Sequence, residues 1–424
     1  ASDVYKRQGI DSITKGVYYK FTIDQLKREI YNVDSLPMGA DSILKRILID
    51  TLTVTGWVTS GLNDTIFNMN DSVDLSTETG GITLKVHAAD GITTREYKIW
   101  VNVHTQDPDS LIWREMPSLP ASPASGKQRS VVLNEDLLVY TSTTTAYRTS
   151  VSNPNFESIQ WGNLIISGLP SDTKLTSIIN FNNRLYTTAE SGKAFYSDNG
   201  TNWEEMDMQG MYMVTFLAGI PADEVTGSEN MLTGIFAKDG KNFFCAKSAG
   251  ETTWKEGEEV PSDFPLKEIY STVFTNASGI KQTVVVVGNV EETVEATIPW
   301  FSKDGLVWAD MSTPTDFSCP AMKNPAIMYY GSQFHMMGGE FKTIYSSLAG
   351  IAWNESADKF RYASEKVIIK GDEDEEETIE YESLFEGKGD YSLAIDKNHY
   401  IWIVWNQDGS VWRGRLNKLG FKQQ

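Results

Sequence analysis

Six tryptophans, Trp113, Trp161, Trp203, Trp254, Trp308 and Trp353, recur 42 to 54 residues apart, and what surrounds them recurs with them. The clearest unit is Tyr196-Ser197-Asp198-Asn199-Gly200-Thr201-Asn202-Trp203-Glu204-Glu205-Met206. Phe301-Ser302-Lys303-Asp304-Gly305-Leu306-Val307-Trp308-Ala309-Asp310-Met311 repeats its aromatic, Ser, Asn or Asp, Gly, Trp and Met at identical offsets. A period of that length is one four-stranded antiparallel unit. Such a unit cannot bury its own apolar face, so copies must stack on one another.

Within the unit, Ser-x-Asp-Gly is a hairpin corner. Ser and Asp side chains bond the turn's own amides, and Gly takes the positive φ. The Trp opens the next strand and covers the corner, a burial contributing about 2 kcal/mol. Ser197, Asn199, Gly200, Trp203, Ser302, Asp304, Gly305 and Trp308 are therefore expected to be architectural. Two copies are worn: Ser248-Ala249-Gly250-Glu251-Thr252-Thr253-Trp254 lacks the Asp, and Ser346-Ser347-Leu348-Ala349-Gly350-Ile351-Ala352-Trp353 reads with Leu in its place. This turn resembles the Asp-box of sialidase-like and other β-propellers. In that family the boxes lie away from the active face.

The spacing predicts a propeller over residues 110–424. In the second repeat Ser177 to Phe181 is expected innermost, then Leu185 to Thr188, Lys193 to Ser197 and, outermost, Trp203 to Met206. The last repeat supplies three strands, Tyr391 to Ile395, Tyr400 to Trp405 and Ser410 to Leu416, before the chain ends. The fourth must come from Leu111 to Met116, which would close a six-bladed ring and leave no open edge. Met336-Met337-Gly338-Gly339 adds a kelch-like phrase, and Leu169-Pro170-Ser171-Asp172, Val260-Pro261-Ser262-Asp263 and Thr313-Pro314-Thr315-Asp316 form a second recurring landmark.

Residues 9–105 read as a separate β domain. Ile82, Leu84 and Val86 alternate with polar residues, as do Tyr97, Ile99, Val101 and Val103, and Asp90-Gly91 supplies the turn between them. With strands at Tyr18 to Ile23, Ile47 to Val54 and Ser72 to Leu75, an immunoglobulin-like sandwich is expected. Gln106-Asp107-Pro108-Asp109 is the connector. Phe21-Thr22-Ile23-Asp24 and Ile30-Tyr31-Asn32-Val33-Asp34-Ser35-Leu36-Pro37 resemble the opening domain of an exported Bacteroidales family with no assigned function, which joins a sandwich to a propeller. The resemblance covers nearly the whole chain. It implies a lipid-anchored envelope protein, in the periplasm or at the cell surface, with any anchor upstream of Ala1; residues 1–8 match no element and read as a scar or processing remnant.

A formal charge of −20 argues against a phosphate-backbone partner, so no nucleic-acid partner is expected. No run of about eighteen apolar residues occurs, so no membrane-spanning segment is expected. Four His in 424 residues disfavour a transition-metal site. Cys245 and Cys319 are treated as buried small hydrophobes, although in an oxidising compartment they could pair.

For chemistry, a sialidase needs an arginine cluster, a Tyr–Glu nucleophile pair and an acid. The propeller candidates are Arg129, Arg148, Arg184, Arg361, Arg413 and Arg415, and no Phe-Arg-Ile-Pro phrase opens the domain. With 57 acidic residues, close carboxylate pairs carry no specificity. The turn between second and third strands bears an acid in five repeats: Glu190, Asp239, Glu291 or Glu292, Glu340 and Asp408. The plain reading is solvated hairpin turns; the sharper one is a carboxylate ring that attracts calcium or a basic partner. The run Asp372-Glu373-Asp374-Glu375-Glu376-Glu377 is expected to form a mobile loop on the same face.

The functional expectation is a monomeric, non-catalytic recognition protein of the envelope that binds glycan or protein opposite the Asp-boxes, without a cofactor unless it is calcium. The alternatives are an extracellular glycoside hydrolase and a structural spacer.

Overall fold

A computed structural model describes residues 20–420, apart from 50–51, 124–125, 153–158, 223–226, 228, 276–281, 291–293, 313–316 and 370–377. The chain divides into two compact units, with the break at Asp109–Ser110, and both are built from strands.

In the first unit Ile82–Ala88 and Thr94–Ile99 pair as the alternation predicts, with Ile82 opposite Ile99 and Leu84 opposite Tyr97. Asp90 accepts the amides of Ile92 and Thr93, and Gly91 has φ 69°. The sheet order is Phe21–Asp24, Glu29–Asn32, Thr94–Ile99, Ile82–Ala88, Gly56–Ser60, and the Glu29–Asn32 pairing with Thr94–Ile99 is parallel. This corrects the sandwich expectation. Among the described residues the five strands lie in one mixed sheet, and no second sheet packs against it. The apolar face is covered instead by the 3-10 helix Ala40–Arg46, which contributes Ala40 and Leu44, and by Leu36 and Leu75. The segment from Ile47 to Val54 alternates like a strand, but its described residues make a single bridge, Ile47 to Val73. Ile47, Ile49, Leu52 and Val54 pack against the core.

In the second unit the described residues form six four-stranded antiparallel sheets. The first runs Arg129–Leu133, Asp136–Tyr140, Thr145–Ser150, Gly162–Ile165; the second Ile179–Phe181, Arg184–Thr188, Ala194–Ser197, Glu204–Met206. The third is Tyr212–Ile220, Met231–Lys238, Lys241–Ser248, Lys255–Glu259; the fourth Lys267–Thr275, Gln282–Asn289, Trp300–Ser302, Ala309–Asp310. The fifth is Ala326–Tyr330, Gln333–Met337, Tyr345–Ser347, Asn354–Glu355. The sixth takes Tyr391–Ile395, Ile401–Trp405 and Val411–Leu416 from the end of the chain and Leu111–Met116 from the start, with Val411 opposite Met116 and Leu416 opposite Leu111. One buried cluster joins Met116, Trp402 and Val404 of the sixth sheet to Leu137 and Val139 of the first. Gln128 donates to the Val404 carbonyl at 2.8 Å, and the Ser130 and Ser392 hydroxyls lie 2.6 Å apart, so first and last sheets are bonded as well as packed.

The repeating turn is what clamps one sheet to the next. Ser197 Oγ accepts the Gly200 amide and donates to the Asn202 carbonyl; Asn199 Oδ1 accepts the amides of Thr201 and Asn202. Ser302 and Asp304 do the same for Gly305, Val307 and Leu306. The turns of the second, fourth and fifth sheets then bond the outer strand of the preceding sheet or the chain that follows it. The Trp203 amide donates to Ser167, the Glu258 amide to Leu306, and the Trp353 amide to Phe317. Tyr140 of the first sheet donates to the Gly200 carbonyl at 2.6 Å and meets Trp203 edge-on. The worn copies differ from expectation in one detail. In the fifth sheet Ser347 bonds the Gly350 amide, so Ala349, not Leu348, stands at the Asp position, and Leu348 points to solvent. In the third sheet the Gly is displaced by one residue and Trp254 is only half-buried.

Candidate functional site

Innermost strands of a ring of sheets face its axis, and here they enclose a cavity of about 490 Å³. Its walls come from the first strands of the first, second, fourth, fifth and sixth sheets, including Val131, Ile179, Tyr270, Ile327 and Leu393. Its lining combines apolar residues with the polar residues Ser130, Asn180, Ser271 and Thr272. Thr272 Oγ1 accepts the Tyr329 amide at 2.8 Å.

Arg129 is the charged member of this lining and is 6% exposed. It opens the innermost strand of the first sheet, opposite Tyr140, the residue that leads into the turn between second and third strands. That places it toward the face carrying the acid-bearing turns. Nε donates to the Ile178 carbonyl at 3.2 Å, Nη2 to the Ile269 carbonyl at 2.8 Å, and the guanidinium lies 4.1 Å from the centre of the Tyr270 ring. One side chain thus ties three sheets together at the axis. Tyr270 in turn accepts the Leu393 amide, and burial raises its phenol above the usual range.

The other arginine candidates lie outside the lining of the axial cavity. Arg148 pairs with Asp136, and Arg184 pairs with Asp198 and covers Tyr196. Arg361 lies over Tyr381, while Arg413 and Arg415 both approach Tyr400. None of these five lines the axial cavity, so the cluster that a substrate carboxylate would need in a sialidase is not assembled there among the described residues.

Most of the acid-bearing turns carry partners of their own. Glu190 is exposed and paired with Lys174 at 3.2 Å; its turn is held by Asp172, which accepts the Ser191 amide. Asp239 is exposed at φ 52°, ahead of Gly240. Glu340 pairs with Lys342 at 2.8 Å, and that lysine holds its carboxyl below the usual range. At Asp408 burial opposes ionisation, but the Ser410 hydroxyl and amide and Lys388 outweigh it and lower the pKa. Glu291, Glu292 and the run from Asp372 to Glu377 lie outside the described residues. Three of the four described acids carry their own lysine, which cancels the field a ring would focus. No group of three His, Cys, Asp or Glu among the described residues is placed to hold a metal.

Cys245 and Cys319 are both free and buried, in different hydrophobic clusters. No helix among the described residues is long and apolar enough to cross a membrane. Sequence reasoning named Arg129 but missed Tyr270, Ser271 and Thr272 beside it. The available signal was an arginine at the head of an otherwise buried strand, Ser130-Val131-Val132-Leu133.

Sheets stacked in this way, with an innermost strand each and an axial cavity, define a β-propeller protein preceded by a smaller β unit. The chain belongs to the DUF6242 family: residues 107–424 match the DUF6242 beta propeller domain and residues 2–101 the DUF6242 N-terminal domain, a domain of unknown function. No curated protein matches the chain. Among solved structures, a gluconolactonase from Xanthomonas campestris is 9% identical over 71% of this chain and 99% of that one, at a TM-score of 0.36. A carbohydrate-active enzyme of family AA12 from Trichoderma reesei is 9% identical over 73% and 96%, at 0.40. The NanB sialidase of Streptococcus pneumoniae is 10% identical over 80% and 64%, at 0.31.

Proposed function

We propose that this chain is a non-catalytic recognition protein whose six sheets act as six propeller blades, binding a glycan or a protein on the face opposite the Ser-x-Asp-Gly turns. The observation that carries the reading is the axial cavity. Its volume suits a small molecule or the end of a chain, and rigid strands rather than loops frame it. Hydrolysis would call for two carboxylates facing one bound bond, about 5 to 9 Å apart. The described lining of this cavity offers hydroxyls, amides and one guanidinium, which suits holding a ligand better than cleaving it.

The resemblance of its opening domain supports a location in the periplasm or at the cell surface as part of this reading; fractionation of cells expressing the natural gene tests it. Glycan-array screening of the purified chain, followed by product analysis on every glycan retained, tests the recognition reading. Retention without turnover is expected. Turnover of a retained glycan would replace it with a glycoside hydrolase, and no retained glycan together with no protein captured from envelope extracts would leave a structural spacer.

A further inference from the structure

Arg129 is a buried cation whose charge the described residues do not balance. A guanidinium has five N–H donors and does not deprotonate in proteins. Nε and one Nη2 hydrogen are accounted for by the Ile178 and Ile269 carbonyls. Nη1 is buried and has no hydrogen-bond partner, and no carboxylate among the described residues pairs with the group. Two carbonyls and the face of Tyr270 offset part of the desolvation cost, but an unpaired buried charge remains expensive. Arg129 also lines the axial cavity, and among the described residues that lining holds no acid.

We propose that the axial cavity binds a small monocarboxylate, up to a sugar acid in size, with Arg129 as its charge partner. The inference rests on the recognition reading above and narrows its ligand. A single guanidinium balances one negative charge, and a carboxylate is its natural partner. A phosphate dianion would bring one charge too many into a protein of formal charge −20. Thr272, whose oxygen already accepts the Tyr329 amide, keeps its own O–H to donate, and Ser271 beside it is exposed. Those hydroxyls suit the polar remainder of a sugar acid, and about 490 Å³ is ample room for one.

The test is calorimetric titration of the full chain with D-glucuronate, D-glucose and inorganic phosphate. Saturable binding of glucuronate, at least tenfold tighter than glucose or phosphate, is expected. It should weaken at least tenfold in Arg129→Met and in Ser271→Asp, which leaves Arg129 in place and supplies a counter-charge from the cavity wall. Should Arg129→Met fail to fold by circular dichroism, Ser271→Asp decides. No saturable glucuronate binding, equal binding of glucose, tighter binding of phosphate, or unchanged binding by Ser271→Asp would each overturn the inference. Glycans retained on an array despite such a result would leave the recognition reading standing, whereas an empty array with strong glucuronate binding would uphold the cavity site and remove the extended glycan.

Discussion

The indole of Trp113 lies over Gly414, the residue directly opposite it in the sixth sheet; a Cβ built on Gly414 would stand 2.6 Å from the ring. Trp113 also donates through Nε1 to the Arg361 carbonyl at 2.9 Å and meets Phe385 edge-on. The first strand of the propeller unit is thereby held to the last by a shape match as well as by the ladder.

Gly414→Ala should therefore cost about 1–3 kcal/mol by overpacking, and Trp113→Ala about 2–3 kcal/mol by lost burial. The two should not add. Without the indole, Ala at position 414 meets open space, and Ala is the better strand residue by about 0.5 kcal/mol. A double-mutant cycle by urea unfolding should show Gly414→Ala becoming neutral or favourable in the Trp113→Ala background. Equal cost in both backgrounds would mean that the contact is not what excludes a side chain there.

The turn residues should differ in weight. In the fifth sheet the Asp position is Ala349, yet the Ser347–Gly350 bond persists and Trp353 still donates to the Gly350 carbonyl at 3.2 Å. Ser, Gly and Trp thus form the skeleton, while Asp304 serves two exposed amides. Ser302→Ala, which strands the buried Gly305 amide, should cost about 1–3 kcal/mol, and Asp304→Ala less than about 1 kcal/mol. Thermal melts of the two variants measure the order, and a larger loss for Asp304→Ala would contradict it.

How far the sequence could carry this reading follows from what each residue depends on. The second sheet was legible almost to the residue, because Leu185 to Thr188 and Ser197 to Trp203 are governed by alternation and turn chemistry within a few positions. The Leu111–Met116 pairing was legible because a three-stranded last repeat needs a fourth strand. The first unit misled because Ile47 to Val54 has the composition of a strand but spends its apolar side chains on a core capped by Leu44 and Leu75. The acids at Glu190, Glu340 and Asp408 read as a ring because their lysines, at 174, 342 and 388, are close in space but unremarkable in the sequence. Arg129 depends on carbonyls 49 and 140 residues away, a relationship no local pattern encodes.

His335 gives the fold a dependence on pH. It sits on the second strand of the fifth sheet, 1% exposed, with its ring stacked on Phe360 at 3.9 Å. Burial pushes its pKa down to about 3 from 6.5. The folded state therefore binds the proton less readily than the unfolded chain, so the contribution is intact above about pH 6.5 and is lost progressively as pH falls toward 3. Between pH 7 and pH 5 the wild type should lose about 2 kcal/mol more than His335→Leu, which has nothing to protonate. Urea unfolding of both proteins at the two pH values measures the difference. Parallel losses would show that this histidine is not the group responsible.

The two thiols report on how differently parts of the propeller unit open. Cys245 is fully buried in Lys241–Ser248, which is paired on both sides within the third sheet. Cys319 is equally buried but belongs to a two-residue ladder with Ala296–Thr297. Burial pushes the Cys319 thiol up to about 12 and the Cys245 thiol higher still, so neither presents thiolate to a reagent in the native state at pH 8. Labelling must then wait for local opening, and a two-residue ladder opens far more cheaply than a strand bonded on both edges. With Cys245→Ala and Cys319→Ala as single-thiol proteins, an aromatic disulfide reagent should modify Cys319 at least tenfold faster than Cys245. Reaction of both within the mixing time, or Cys245 first, would show that the third sheet is not the more protected element.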